Sequence, residues 1–150
     1  MDAVFVDSNV LIYSQDTSEP LKQRQARSWL EHLWRARSGR VSFQVLREVY
    51  VNLTRKVPNP LPVASARNLV RLFLEWNPRP EAPEFFETAW EIESKFNLSW
   101  WDSMIVAAAH LMECRYLLTE DLQEGAHLNK LVVINPFSIS WEALGGAGFR

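Results

Sequence analysis

The chain has 150 residues, 47% hydrophobic and 23% charged, with a formal net charge of −2, which suits one soluble domain with its own core. Its longest apolar run, Met104 to Ala109, is far too short to span a bilayer, and no basic segment leading into an apolar one opens the chain, so a cytoplasmic protein is expected. The single Cys114 excludes an internal disulfide, and without a Cys/His cluster there is no zinc signature.

Ala3 to Val6 is short and mostly apolar, as a buried strand is. Asp7 follows directly, then Ser8 and Asn9, before apolar residues resume at Val10 to Ile12. A carboxylate beside a buried segment is costly unless it is paired, hydrogen-bonded or bound to a metal. Pro20 to Arg37 repeats Ala26, Trp29, Leu30 and Leu33 at roughly helical spacing, and Ser38-Gly39 ends that helix. Val41 to Phe43 is predicted as a second strand, and Gln44 to Lys56 as a helix with Val45, Val49 and Leu53 on one face. "VPNPLP" (57–62) breaks the chain, Val63 to Trp76 is helical, and "NPRPEAP" (77–83) breaks it again.

Glu84 to Phe96 forms the next helix, and Ser99 opens the strongly apolar helix "SWWDSMIVAAAHLMEC". "RYLLT" (115–119) and "LVVI" (131–134) complete the strands. Short apolar strands separated by helices predict an α/β fold, a parallel sheet with helices on both faces. There is no repeat, and both Pro-rich stretches are loop-sized. One domain is expected over residues 1–137, followed by a C-terminal tail, 138–150, whose end "GGAGFR" is expected to be mobile.

Charge is spread unevenly: residues 22–79 hold twelve Lys/Arg against three acids, and residues 80–131 hold three against ten. Solvated helix faces of opposite sign give this pattern, and so does a polyanion-binding surface beside an acidic centre. In open α/β sheets, sites form at the carboxyl ends of strands, where Asp7 and Asp121 both fall. Glu48 lies at the margin of its helix's buried face, and Asp102 among Trp100, Trp101, Met104 and Ile105.

Each acid also has a local explanation. "DSN" is good Asx-turn chemistry, Ser99-x-x-Asp102 is a capping-box pattern, Asp121 suits a helix N-cap, and Glu48 an exposed helix face. Glu120 and Glu124 read as solvated. One shared cause fits four such acids better than four separate ones. A hard cation, Mg2+ or Mn2+, prefers oxygen ligands, orients a water and steadies charge developing on a phosphate. The three histidines, His32, His110 and His127, fall into no acid–His–nucleophile pattern.

"VFVDSNVLIY", "SFQVLREVYVNLTRK", "LSWWDSMIVAAA" and "LLTEDLQEG" stand in the order and local context of PIN-domain ribonucleases. Over residues 3–137 the chain resembles that family, and within it the VapC-like toxins of bacterial toxin–antitoxin pairs. The resemblance implies a PIN-like α/β/α sandwich with a small central, mostly parallel sheet flanked by helices, and a Mg2+- or Mn2+-dependent endoribonuclease. It puts the catalytic, metal-binding acids at Asp7, Glu48, Asp102 and Asp121. Ser8, Asn9 and Thr119 match the polar positions that buttress them, and Asn52 matches a family Asn. RNA as substrate, a cognate antitoxin protein as partner and a homodimer follow from the same likeness, with the apolar helices between 63 and 96 as a surface for pairing.

For RNA, the basic residues expected to contribute are Arg47, Arg55 and Lys56, on the helix of Glu48, and Arg67 and Arg71, an i, i+4 pair on the next helix. The tryptophans and phenylalanines read as core, leaving one or two tryptophans to stack on bases. Other functions stay open: a PIN nuclease in RNA maturation, a non-catalytic binding module, or an aspartyl-nucleophile phosphatase. The last usually has a second acid two residues after the first, and this chain has Asn9 there.

Overall fold

In the computed structural model, which describes residues 2–145, the first strand is three residues long and wholly buried. This strand, β1 (Val4–Val6), pairs in parallel with β2 (Gly39–Arg40) on one side and β3 (Tyr116–Leu118) on the other. β3 pairs in parallel with β5 (Leu131–Ile134), and β4 (His127–Leu128) closes the edge as an antiparallel hairpin, giving the order β2-β1-β3-β5-β4. Helices flank this small sheet: α1 (Ser8–Tyr13), α2 (Pro20–Ala36), α3 (Phe43–Val51), α4 (Val63–Leu74), α5 (Pro83–Phe96) and α6 (Trp100–Leu111). A mostly parallel sheet covered on both faces explains why β1 and β3 are apolar throughout rather than alternating.

Several elements differ from the sequence reading, each for a local reason. The helix α1 was not expected; six residues are too few to show a period, yet Asp7 caps its start and Val10 and Leu11 are buried. The second strand is Gly39–Arg40, not Val41–Phe43. Ser42 accepts a hydrogen bond from the Val45 N–H, so the chain is already helical at Phe43. The helix expected to run to Lys56 turns π-helical over Asn52–Lys56, where Asn52 Nδ2 donates to the Glu48 carbonyl at 2.8 Å. Helix α6 stops at Leu111, before the expected Cys114, because Glu113 turns left-handed at φ 57°. Strand β4 was too short to see; its hairpin turn uses Asn129 at φ 59°.

After β5 the chain returns to α2. Trp29 Nε1 donates to the Ile139 carbonyl at 2.9 Å, and Trp141, in a 3-10 turn over Trp141–Gly145, stacks on His32. The rest of the "GGAGFR" end lies outside the described residues. Among the described residues no helix is long and apolar enough to cross a membrane.

One close approach fixes the sheet's open edge. The Trp76 ring, just past α4, lies where a Cβ on Gly39 would stand, and it packs on Trp34 and Phe73. Gly39→Ala should therefore cost about 1–3 kcal/mol through overpacking. In a Trp76→Ala background the cost should shrink, and denaturant unfolding of the four proteins in that cycle checks it.

Candidate active site

The parallel register of β1 and β3 places Val6 beside Leu118, so the next residues, Asp7 and Thr119, meet at the carboxyl ends of the two strands. The Asp7 N–H donates to the Leu118 carbonyl at 3.0 Å, continuing the ladder by one bond. The Asp7 side chain is 6% exposed. One oxygen accepts from the Ser8 N–H at 2.7 Å, capping α1, and the other accepts from the Thr119 hydroxyl at 2.9 Å. The Asx chemistry and the strand-end acid are thus one residue in two roles.

Thr119 is fully buried and spends its single proton on Asp7. Its oxygen accepts from the Asp121 N–H and from Asn9 Nδ2, each at 3.1 Å. Asn9 Nδ2 also donates to Asp121 Oδ2 at 3.1 Å. Both of these partners need a donor from Asn9, which fixes the orientation of its amide. The other end of that amide, Oδ1, is buried with no hydrogen-bond partner. Asp7, Asn9, Thr119 and Asp121 therefore form one connected network.

Glu48 and Asp102 are held separately. Gln44 Nε2, one helical turn earlier on α3, donates to Glu48 Oε1 at 3.1 Å. Ser99 caps α6 by accepting from the Asp102 N–H at 3.1 Å, so the cap uses the backbone of Asp102 and not its carboxylate. The four acids nonetheless feel one another. Burial pushes the Asp7 carboxyl up to about 6, against the bonds from Ser8 and Thr119, and the charges of Asp121 and Glu48 add to the rise. Asp121 is also held above the ordinary carboxylate value, by burial first, with Glu120, Asp102 and Glu48 pushing the same way and the Asn9 bond opposing. Among the described residues no Lys, Arg or His forms an ion pair with any of the four. Nor do any three His, Cys, Asp or Glu side chains among them close tightly enough to ligate one ion directly.

The other expected residues fall into place unevenly. Ser8 contributes its backbone N–H, and Asn52 a bond to the Glu48 carbonyl. Arg47, Arg67 and Arg71, expected as two separate groups, line one open groove of about 500 Å³ between α3 and α4. Arg55 and Lys56 are exposed on the π-helical turn and do not line it. Of the tryptophans, Trp29 is core, whereas Trp90 and Trp101 are at least half exposed. Glu120, expected to be solvated, is instead paired with Lys22 at 2.9 Å. Gln44 and Lys22 were missed; the i−4 spacing of Gln44 from Glu48 was a usable signal, whereas nothing local tied Lys22 to residue 120.

An α/β sheet with acids at the carboxyl ends of its strands carries its candidate site at the edge where open sheets of this class bind ligands. The PIN domain family profile matches residues 4–123, which takes in all four acids, and the chain belongs to that family, whose members are generally nucleases. Among curated proteins none matches the chain.

The raised Asp7 carboxyl has a measurable sign. Its folded value, about 6, lies above the ordinary 3.8, so between the two the native protein binds more protons than the unfolded chain. The Asp7 contribution to stability falls as pH rises through that window, by on the order of 2–3 kcal/mol, and stays low above it. His32, which burial pushes down, acts oppositely but is unaltered in Asp7→Asn. In chelator, urea unfolding should show wild type losing stability relative to Asp7→Asn between about pH 4 and 6, with little further change above. Parallel pH profiles for the two proteins contradict the buried-charge account.

Proposed function

We propose that this protein is a Mg2+- or Mn2+-dependent endoribonuclease, the toxin of a toxin–antitoxin pair, acting in the cytoplasm. The observation that carries the reading is the network at the strand ends. A buried carboxylate is kept there at an unfavourable charge, beside three more acids, with no protein cation paired to any of them among the described residues. The donor set is all oxygen, which suits a hard divalent ion that keeps several of its waters and touches only one or two carboxylates.

Asp7, Asp121, Asp102 and Glu48 would hold that ion. When bound, it supplies an activated water and offsets charge on the phosphate. The protein's own residues do the rest. Ser8 and Thr119 fix both oxygens of Asp7, Asn9 aims Asp121, Gln44 holds Glu48, and the cap at Ser99 leaves the Asp102 carboxylate at liberty. Arg47, Arg67 and Arg71, on or beside the helix of Glu48, offer guanidinium groups for the RNA backbone. A homodimer is supported by apolar side chains left exposed on α4 and α5, Leu72, Leu74, Phe86 and Trp90.

Because the α6 cap uses the Asp102 N–H, Asp102→Asn should keep stability within about 0.5 kcal/mol while lowering cleavage at least about a hundredfold. Asp7→Asn should lose activity to the same degree. Melting temperature should rise with millimolar Mg2+ or Mn2+ in wild type and rise less in Asp7→Asn. An active Asp7→Asn protein refutes the metal-site reading.

Water-driven hydrolysis breaks the bond to the 3′ oxygen and leaves 5′-phosphate and 3′-hydroxyl ends, where attack by a 2′-hydroxyl leaves a cyclic phosphate. End-labelling of the fragments distinguishes them. For the toxin role, induced expression should arrest growth, and co-expression of the gene adjacent to its own should restore it.

A further inference from the structure

Lys22, in the first turn of α2, ends in a cage that the proposed chemistry does not use. Its Nζ donates to Glu120 Oε2 at 2.9 Å and to the Tyr13 hydroxyl at 3.4 Å. It also lies 4.5 Å and 5.1 Å from the ring centroids of Tyr13 and Phe137, which meet edge to face. The side chains of Lys22 and Glu120 are 34% and 23% exposed, so the pair is half-buried rather than a surface contact.

Glu120 stands between Thr119 and Asp121, which puts two carboxylates next to each other in one turn. That turn does not need the ion pair for its shape. The Asp121 N–H is bound to Thr119, and the Asp121 carboxylate is held by Asn9. What the pair provides is a Glu120 carboxylate held on an ammonium, which offsets part of the charge it presses on Asp121.

We propose that Lys22 is a positioning residue that keeps Glu120 out of the acidic cluster, so that four carboxylates and not five face the substrate. The inference rests on the nuclease reading above. Without the ammonium, Glu120 is a carboxylate one residue from Asp121 with no cation beside it among the described residues and only the Tyr13 hydroxyl as a partner in the cage. The added charge draws a divalent cation more tightly and offers it a competing oxygen, and the same charge repels an RNA phosphate. Cation affinity and cleavage then move in opposite directions. Loosened packing would weaken both.

Lys22→Met keeps the aliphatic stem against the two rings and removes the charge. On the full chain, calorimetry should show Mn2+ binding tightened about threefold or more, while RNA cleavage falls about tenfold or more. Adding Glu120→Gln to Lys22→Met should return both to within about threefold of wild type. If the melt in chelator shows that Lys22→Met does not fold, Glu120→Gln alone carries the test. It retains an acceptor for Lys22 but drops the negative charge, so Mn2+ should bind about threefold more weakly. The proposal is overturned if affinity and cleavage fall together in Lys22→Met, if neither moves, if Gln at 120 fails to restore them, or if Glu120→Gln alone leaves Mn2+ binding unchanged. A wild-type protein that neither binds Mn2+ nor cleaves RNA overturns the nuclease reading instead, which is a separate result.

Discussion

The hydrogen bond from the Thr119 hydroxyl to the Asp7 carboxylate joins the ends of the two central strands, and much of the molecule is arranged around it. The β1–β3 register brings the two residues together. The other Asp7 oxygen starts α1, and α1 carries Asn9, which reaches back to Thr119 and Asp121. One side chain thus terminates a strand, caps a helix and anchors a polar network in a site where its own charge is disfavoured. A partly satisfied buried network is a poor choice for stability alone. Such a conflict between burial and charge at the sheet's carboxyl edge is what supports the proposed site there.

Electrostatics reinforces that view from the rest of the chain. The basic and acidic halves of the sequence are not separate in space: Arg47 meets Glu81 at 3.8 Å, and Arg79 bonds Glu84 at 2.6 Å. These are exposed pairs of small energetic value, each worth about 0–1 kcal/mol. The first joins α3 to the 77–83 loop and the second joins that loop to the acidic helix α5, yet they leave the strand-end acids uncompensated. The only ammonium to approach that edge, among the described pairs, is caged on Glu120 instead. Cations were available along the chain, and the fold directs them elsewhere.

Much of this was legible in the sequence. Apolar runs ending in Asp located the sheet edge with Asp7 and Asp121, where burial and charge conflict, and helical stripes interrupted by a single Glu or Asp singled out Glu48 and Asp102. The class of fold followed from the same alternation. What was not legible depends on partners distant in the chain. No local signal connects Lys22 with residue 120, or makes the Trp76 ring the reason for a glycine at 39. Elements shorter than two periods, α1 and β4, were hidden because periodicity needs length to show. The shift of β2 by two residues came from reading Val41 as strand interior when Ser42 was about to cap a helix.

The remaining lone pairs indicate how the proposed ion would be held. Each carboxylate oxygen can accept about two hydrogen bonds or ligands. In Asp7 each oxygen has used one, on Ser8 and on Thr119. Asp121 has used one oxygen on Asn9, and Glu48 one on Gln44. Asp7, Asp121 and Glu48 therefore retain capacity while a neighbour fixes their orientation, as preorganised ligation requires, and the Asp102 carboxylate is left at liberty by the cap at Ser99. The all-oxygen donor set suits a hard divalent ion, which on the proposed reading Asp7, Glu48, Asp102 and Asp121 would hold. When bound, the ion would supply an activated water for the proposed hydrolysis. A cage of four direct ligands would hold the ion more tightly and leave it less room for the water and the phosphate. On the proposed reading, the edge formed by Asp7, Glu48, Asp102 and Asp121 would therefore favour turnover over storage of a metal.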